Sequence, residues 1–182
     1  VTAADLEVDR FISSRLRAQF PRDGILSEEG VDTSGEGVWI IDPIDGTMNF
    51  ARAIPHFAVS IGFLREGQVQ AGVVYAPIAD ELFSARRGNG AFRNGQRMRT
   101  RSPSGPSEAL IDAGYTLRRP IAEYLAMLER LIAHDYGFCQ LGSAALGLAH
   151  TADGRVDGFC ESHLFSWDVA AGMLLVEEAG GF

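Results

Sequence analysis

One short stretch constrains this chain more than any other: Val38-Trp39-Ile40-Ile41, followed at once by Asp42-Pro43-Ile44-Asp45-Gly46-Thr47. The apolar run reads as a short buried strand that stops at Asp42-Pro43. Pro43 fixes its own φ angle, so the turn can aim two carboxylates three residues apart at one point. Gly46 lets a ligand approach the backbone, and Thr47 begins the next helix, whose free N–H groups can take phosphate oxygens without a cationic side chain. Hard cations such as Mg²⁺ prefer carboxylate and carbonyl oxygens and share their coordination with phosphate. Read alone, the hexapeptide is equally an Asx turn capping a helix.

The rest of the chain arranges itself around that turn. Val8, Ile12, Leu16 and Phe20 recur every fourth residue and predict an opening helix buried on that stripe, with Thr2 and Asp5 as its capping box and Pro21 and Asp23-Gly24 as its stop. Residues 30–37 read as a polar loop. Strand-like runs at 57–63, 69–75, 82–85 and 91–92, separated by Glu66-Gly67, Gly88-Asn89-Gly90 and Asn94-Gly95, predict an antiparallel meander. Arg101-Ser-Pro-Ser-Gly-Pro-Ser107 is the best linker, dividing the chain into lobes at 1–104 and 105–182. Beyond it the pattern predicts a strand at 109–115, a helix through Ile121, Leu125, Leu128 and Ile132, a short strand near Phe138, a small-residue helix from Ser143 to near Gly154, a strand at 156–160 and a last helix at 166–179.

Charge and cysteine content narrow the function. With 24 acidic and 16 basic residues the 182-residue chain carries −8, which disfavours a nucleic-acid surface. An acidic protein handling an anionic phosphate needs local positive charge, and divalent cations supply it. Cys139 and Cys160 form no CxxC pair, so a reducing cytoplasm is the default, and no apolar run reaches the ~18 residues that span a bilayer. The chain has no GxxxxGK[ST] loop, no GxSxG elbow and no Cys/His signature, and His56, His134, His150 and His163 show no zinc spacing.

Further acids lie at Glu28-Glu29, at Asp168 beside Trp167, and at Asp5. Each has a plainer role when taken singly: a solvated pair, a favourable charge at a helix N-terminus, and a capping box. Their joint order is more specific. Glu28-Glu29, Trp39-Ile40-Ile41-Asp42-Pro43-Ile44-Asp45-Gly46-Thr47 and Trp167-Asp168-Val169-Ala170-Ala171-Gly172 resemble the three signature blocks of the inositol monophosphatase family. Thr2-Ala3-Ala4-Asp5 resembles the element preceding them, and Gly142-Ser143-Ala144 a substrate-side block. Asn49-Phe50 and the run from Pro55 to Gly62 look like the inositol monophosphatase branch of the wider superfamily.

The resemblance implies an α+β fold, a layered α/β/α/β/α sandwich of the sugar-phosphatase type, with a largely antiparallel N-terminal sheet and a smaller mixed C-terminal sheet. It also implies an N-terminal helix and closing C-terminal strands and helix outside this sequence. For the site, it implies that Glu28, Asp42 and the Ile44 carbonyl hold one Mg²⁺ and that Asp42, Asp45 and Asp168 hold a second. Asp5 and Glu28 hold a weaker third, and Mn²⁺ is a substitute ion. Glu28 and Thr47 orient the attacking water, with Asp45 beside them. Gly46 and Thr47 grip phosphate, while Gly142, Ser143, Ala144 and Glu161, with Asp45 and Asp168, contact the polyol. The implied reaction is hydrolysis of inositol-1-phosphate or a similar small sugar-alcohol phosphate by a cytoplasmic, lithium-sensitive homodimer.

Magnitudes favour metals. One positioned acid or base contributes roughly 10²–10⁴-fold, whereas phosphate monoester hydrolysis can need up to ~10²¹-fold. The alternatives are another phosphomonoester (fructose-1,6-bisphosphate, a nucleotide 3′-phosphate or histidinol phosphate) and a mainly regulatory binding protein of the same fold.

Overall fold

The computed structural model describes residues 2–30 and 33–182; Val31 and Asp32, within the expected loop at 30–37, lie outside the described residues. A seven-stranded sheet takes its strands in chain order: β1 (Gly24–Ser27), β2 (Val38–Asp45), β3 (Ala58–Arg65), β4 (Gln68–Ala76), β5 (Glu81–Arg86), β6 (Gly90–Arg93) and β7 (Gln96–Arg97). Only β1 and β2 pair in parallel; the others form the expected meander. Two of its tight turns hold consecutive residues at positive φ, Glu66-Gly67 (φ 53° and 74°) and Asn94-Gly95 (46° and 78°), and Asn-Gly is the pair that adopts this most readily.

The second sheet has the order β10 (Gly158–Cys160), β8 (Leu110–Ala113), β9 (Gly137–Cys139). Both of its pairings are parallel, so it is not the mixed sheet expected from sequence. The reason is topological: α3 (Ile121–Ala133) carries the chain from β8 to β9, and α4 (Ala144–Ala152) carries it on to β10. Each helical crossover returns the chain to the same end of the sheet.

Side-chain alternation fixes the layers. On the large sheet Gly62 and Gly72 face α5 (Ser166–Glu178), where an added Cβ at Gly72 would stand 2.9 Å from the Ala171 Cα. On the opposite face Trp39 packs on Phe63, with ring centroids 4.6 Å apart, and receives Phe20 from the end of α1 (Ala3–Gln19) at 5.0 Å. On the small sheet Phe159 meets Gly147 of α4, while Cys160 turns to Met127 of α3. The layers therefore run α1, large sheet, α4 with α5, small sheet, α3. The core between the large sheet and its helices includes Val74, Phe83, Ala145, Ala149, Leu174 and Leu175, so residues on both sides of the 101–107 linker share it. Burying one Phe83-sized side chain contributes ~1.5–3 kcal/mol.

Two local expectations change. The buried stripe of α1 is Asp5, Asp9 and Ser13, one position from the predicted Val8-Ile12-Leu16-Phe20 stripe, of which the first three are half-buried and Phe20 is exposed. Polar partners draw it inward: Asp9 accepts the Ser27 hydroxyl from the end of β1. β2 also does not stop at Pro43. It continues to Asp45 through an irregular register between Asp42 and Asp45, which accommodates the missing N–H.

Candidate active site

The close approach of α5 to β3 and β4 brings distant acids together. Asp42 pairs in register with Ser60 on β3, and the buried Ser60 hydroxyl donates to the Trp167 carbonyl at 3.4 Å. Asp168, one residue on, is thereby set over the end of β2. One carboxylate oxygen from each of Asp42, Asp45 and Asp168 lies within 4.8 Å of the others.

Each carboxylate is held by few donors. Asp42 Oδ1 accepts the Ile44 amide at 3.0 Å. Asp45 Oδ2 accepts the Ser143 hydroxyl and the Ala145 amide, the latter at 2.8 Å. Asp168 Oδ2 accepts the Phe165 amide at 2.7 Å. Among the described residues none of the three forms an ion pair with an arginine. Burial, then repulsion from Asp45, Glu28 and Asp168, pushes the Asp42 pKa up to about 10. Burial pushes Asp45 up to about 7 against the pull of Ser143 and Ala145. Asp168 is raised by burial, and the Phe165 amide, then Arg118, oppose that rise.

The other expected acids stand around this trio. Glu28 is exposed at the rim; burial of part of the group and the charge of Glu29 raise its pKa, and a hydrogen bond with Asp42 opposes the rise. Asp5 is fully buried and accepts the Thr2 amide at 2.6 Å, which makes it both helix cap and neighbour of the site. The Thr47 hydroxyl lies 3.4 Å from Asp5 Oδ1 and donates to the Ile44 carbonyl at 3.1 Å. Gly46 caps α2 (Thr47–Ala51) with φ 90°; a side chain there would be strained and would meet the carbonyls of His56 and Gly142 at 3.1 and 3.2 Å.

A cavity of about 150 Å³ opens beside the trio, lined by Asp45, Asp168, Gly142, Ser143, Ala144 and Glu161 with Tyr115, Gln140 and Phe159. Burial first, then Asp168 and Asp45, lifts Glu161 to about 7. Larger clefts of about 530 and 410 Å³ lie around Phe63 and Arg65, and neither contains one of the converging carboxylates. Convergence, not volume, marks the site.

Sequence reasoning missed two residues that organise this region. Asn49, noted only as part of a block, donates through Nδ2 to the carbonyls of His56 and Leu141, both at 2.8 Å. Asp112 is buried beneath the turn that precedes Ser143; its signal was a lone acid within an apolar strand run.

The site fits divalent cations on its own evidence. Acids this close and this buried stay ionised only with positive charge among them, and oxygen-only donor sets suit hard ions. A layered α+β fold carrying such a cluster fits a metal-dependent phosphate-ester hydrolase. Comparisons with known proteins agree. The inositol monophosphatase family matches over residues 1–182. An inositol-1-monophosphatase of Rhizobium meliloti (strain 1021) is 43% identical over 187 residues, spanning 100% of this chain and 70% of that protein. The Nus factor SuhB of Pseudomonas aeruginosa is 42% identical over 190 residues, with 100% and 70% covered. The crystal structure of extragenic suppressor protein suhB from Bartonella henselae superposes with a TM-score of 0.96 at 43% identity, covering 100% of this chain and 72% of that one. The chain belongs to the inositol monophosphatase family.

Proposed function

We propose that this phosphatase hydrolyses inositol-1-phosphate or a similar small polyol phosphate with Mg²⁺ as its ion. The observation that carries the reading is the meeting of Asp42, Asp45 and Asp168 within 4.8 Å, with no ion pair to an arginine among the described residues. Bound divalent ions neutralise phosphate charge, activate a water for attack and stabilise the leaving oxygen. In this reading Asp42, Glu28 and the Ile44 carbonyl would hold one ion, and Asp42, Asp45 and Asp168 would hold a second. Asp5 joins Glu28 at a weaker third position.

The remaining roles belong to the chain's own groups. Thr47, held between Asp5 and the Ile44 carbonyl, and Glu28 at the rim orient the incoming water. The Gly46 and Thr47 amides, in the first turn of α2, take phosphate oxygens. Glu161, Ser143 and the Gly142 and Ala144 backbone line the cavity that receives polyol hydroxyls. Lithium sensitivity, a homodimeric assembly and a cytoplasmic location complete the proposal. No helix among the described residues is long and apolar enough to cross a membrane.

The test is phosphate release from inositol-1-phosphate, fructose-1,6-bisphosphate, a nucleotide 3′-phosphate and histidinol phosphate, each with Mg²⁺ and with excess chelator. Mg²⁺-dependent turnover that favours the inositol ester is expected. Undiminished turnover in chelator overturns the metal reading, and preference for another ester overturns the substrate.

A further inference from the structure

β8 carries a carboxylate that the proposed chemistry does not use. Asp112 is 1% exposed and sits on the central strand of the small sheet, in register with Phe159 on one side and Cys139 on the other. A lone buried acid is costly unless its oxygens are hydrogen-bonded. Here only one is: Oδ1 accepts the Leu141 amide at 3.2 Å, while Oδ2 has no partner among the described residues. Oδ2 faces the backbone of α4 at Gly147, where an added Cβ would lie 2.8 Å from it. Burial pushes the Asp112 carboxyl pKa up, and the Leu141 bond opposes it. For packing alone, an apolar residue would serve the strand better.

What Asp112 holds explains its presence. Leu141 heads the turn that leads into α4, and its carbonyl accepts Asn49 Nδ2 at 2.8 Å. Asp112 thus grips this residue from behind, and Asn49, two residues past Thr47, grips it from the front. Two residues further on, the Ser143 hydroxyl and then the Ala145 amide bind Asp45 Oδ2. The path from Asp112 to Asp45 is one short turn of backbone with a hydrogen bond at each end.

We propose that Asp112 is a positioning residue of the active site: by holding the Leu141 amide it fixes the turn through which Ser143 and Ala145 orient Asp45. The inference rests on the reading of Asp45 as a Mg²⁺ ligand and extends it to a residue on the far side of the turn. Groups that orient metal ligands usually affect metal affinity strongly even though they never touch the ion.

The test measures Mg²⁺ binding by titration calorimetry and thermal unfolding in chelator, on the same samples of the whole chain. Asp112→Ala is expected to weaken Mg²⁺ binding ~10–100-fold, while Asp112→Asn, which keeps an acceptor oxygen, stays within about threefold of wild type. The chelator Tm of Asp112→Ala should equal or exceed that of wild type, because an unpartnered buried oxygen is removed. Asp112→Val, which keeps the strand filled, should reproduce the Ala result. Wild-type affinity in Asp112→Ala, or equal impairment of Asn and Ala, overturns the positioning role. So does a loss of affinity that tracks a fall in chelator Tm, or failure of both Ala and Val variants to fold. A wild-type chain that binds no Mg²⁺ overturns the metal reading as well, whereas wild-type binding with an unaffected Asp112→Ala overturns this inference alone.

Discussion

Asp45 Oδ2 accepts the backbone amide of Ala145 at 2.8 Å, although the two residues are 100 positions apart. The Ser143 hydroxyl donates to the same oxygen and also accepts the Leu146 amide, so one side chain caps α4 and holds an acid of the site. Stability and chemistry are coupled at this junction. Ser143→Ala should cost ~1 kcal/mol through the lost cap, or about 2–4 °C in Tm. It should also weaken Mg²⁺ binding, since Asp45 loses one of the donors that favour its ionised form. Calorimetric titration alongside thermal melts reads both effects.

Asp42 gives the opposite pairing of effects. Its burial among Asp45, Glu28 and Asp168 opposes ionisation, so Asp42→Asn should stabilise the metal-free chain at pH 8, by about 2–4 °C for each kcal/mol relieved. The same change should lower kcat/KM by at least roughly 10²–10³-fold, ~3–4 kcal/mol of barrier. Initial rates in Mg²⁺ and melts in chelator test the two halves, and an active Asp42→Asn would remove Asp42 from the chemistry.

Raised carboxyl pKa values make this cluster's contribution to stability depend on pH. Asp45 moves from 3.8 to about 7 and Asp42 from 3.8 to about 10 in the folded chain. Between the unfolded and folded values the native state holds protons that the unfolded chain has released. Their contribution to metal-free stability is therefore greatest below pH ~4 and falls as pH rises, through about 7 for Asp45 and on to about 10 for Asp42. Mg²⁺ reverses the trend because it binds the ionised form. At about 100 times its Kd it adds ~2.7 kcal/mol, some 5–10 °C, at pH 8 and markedly less at pH 5.5. Melts with Mg²⁺ and with chelator across this range decide it; a Mg²⁺ shift that does not change with pH would contradict the assignment.

Gly172 is a packing requirement at the α4–α5 contact. A Cβ there would lie 2.6 Å from the Leu148 Cβ. Gly172→Ala should destabilise by ~1–3 kcal/mol, and pairing it with Leu148→Ala should cost less than the two changes summed. Urea unfolding of the four variants in the double-mutant cycle measures that coupling.

Much of this was legible locally. The meander could be read from its alternation and its Asn94-Gly95 turn, because hairpins are governed by near neighbours. Asp42 and Asp45 could be read as a pair because three residues and a proline fix their relation. The order of Glu28, Asp42, Asp45 and Asp168 along the chain marked the family without any distance being known. The buried stripe of α1 was misjudged because hydrophobic spacing does not register that Asp9 finds a hydroxyl on Ser27, and the small sheet's direction was missed because it depends on how α3 and α4 cross over.

Turn chemistry, strand alternation and the identity of the acids follow from the order of residues alone, all set by φ, side-chain period and residue type over a few positions. The meeting of Asp168 with Asp42 had to wait for the folded layers, because it depends on small residues of α5 seating against Gly62 and Gly72. The place of Asp112 behind Leu141 is likewise a product of folding. Contacts of that kind join residues whose relation is set by the packing of whole layers, and no local pattern encodes them.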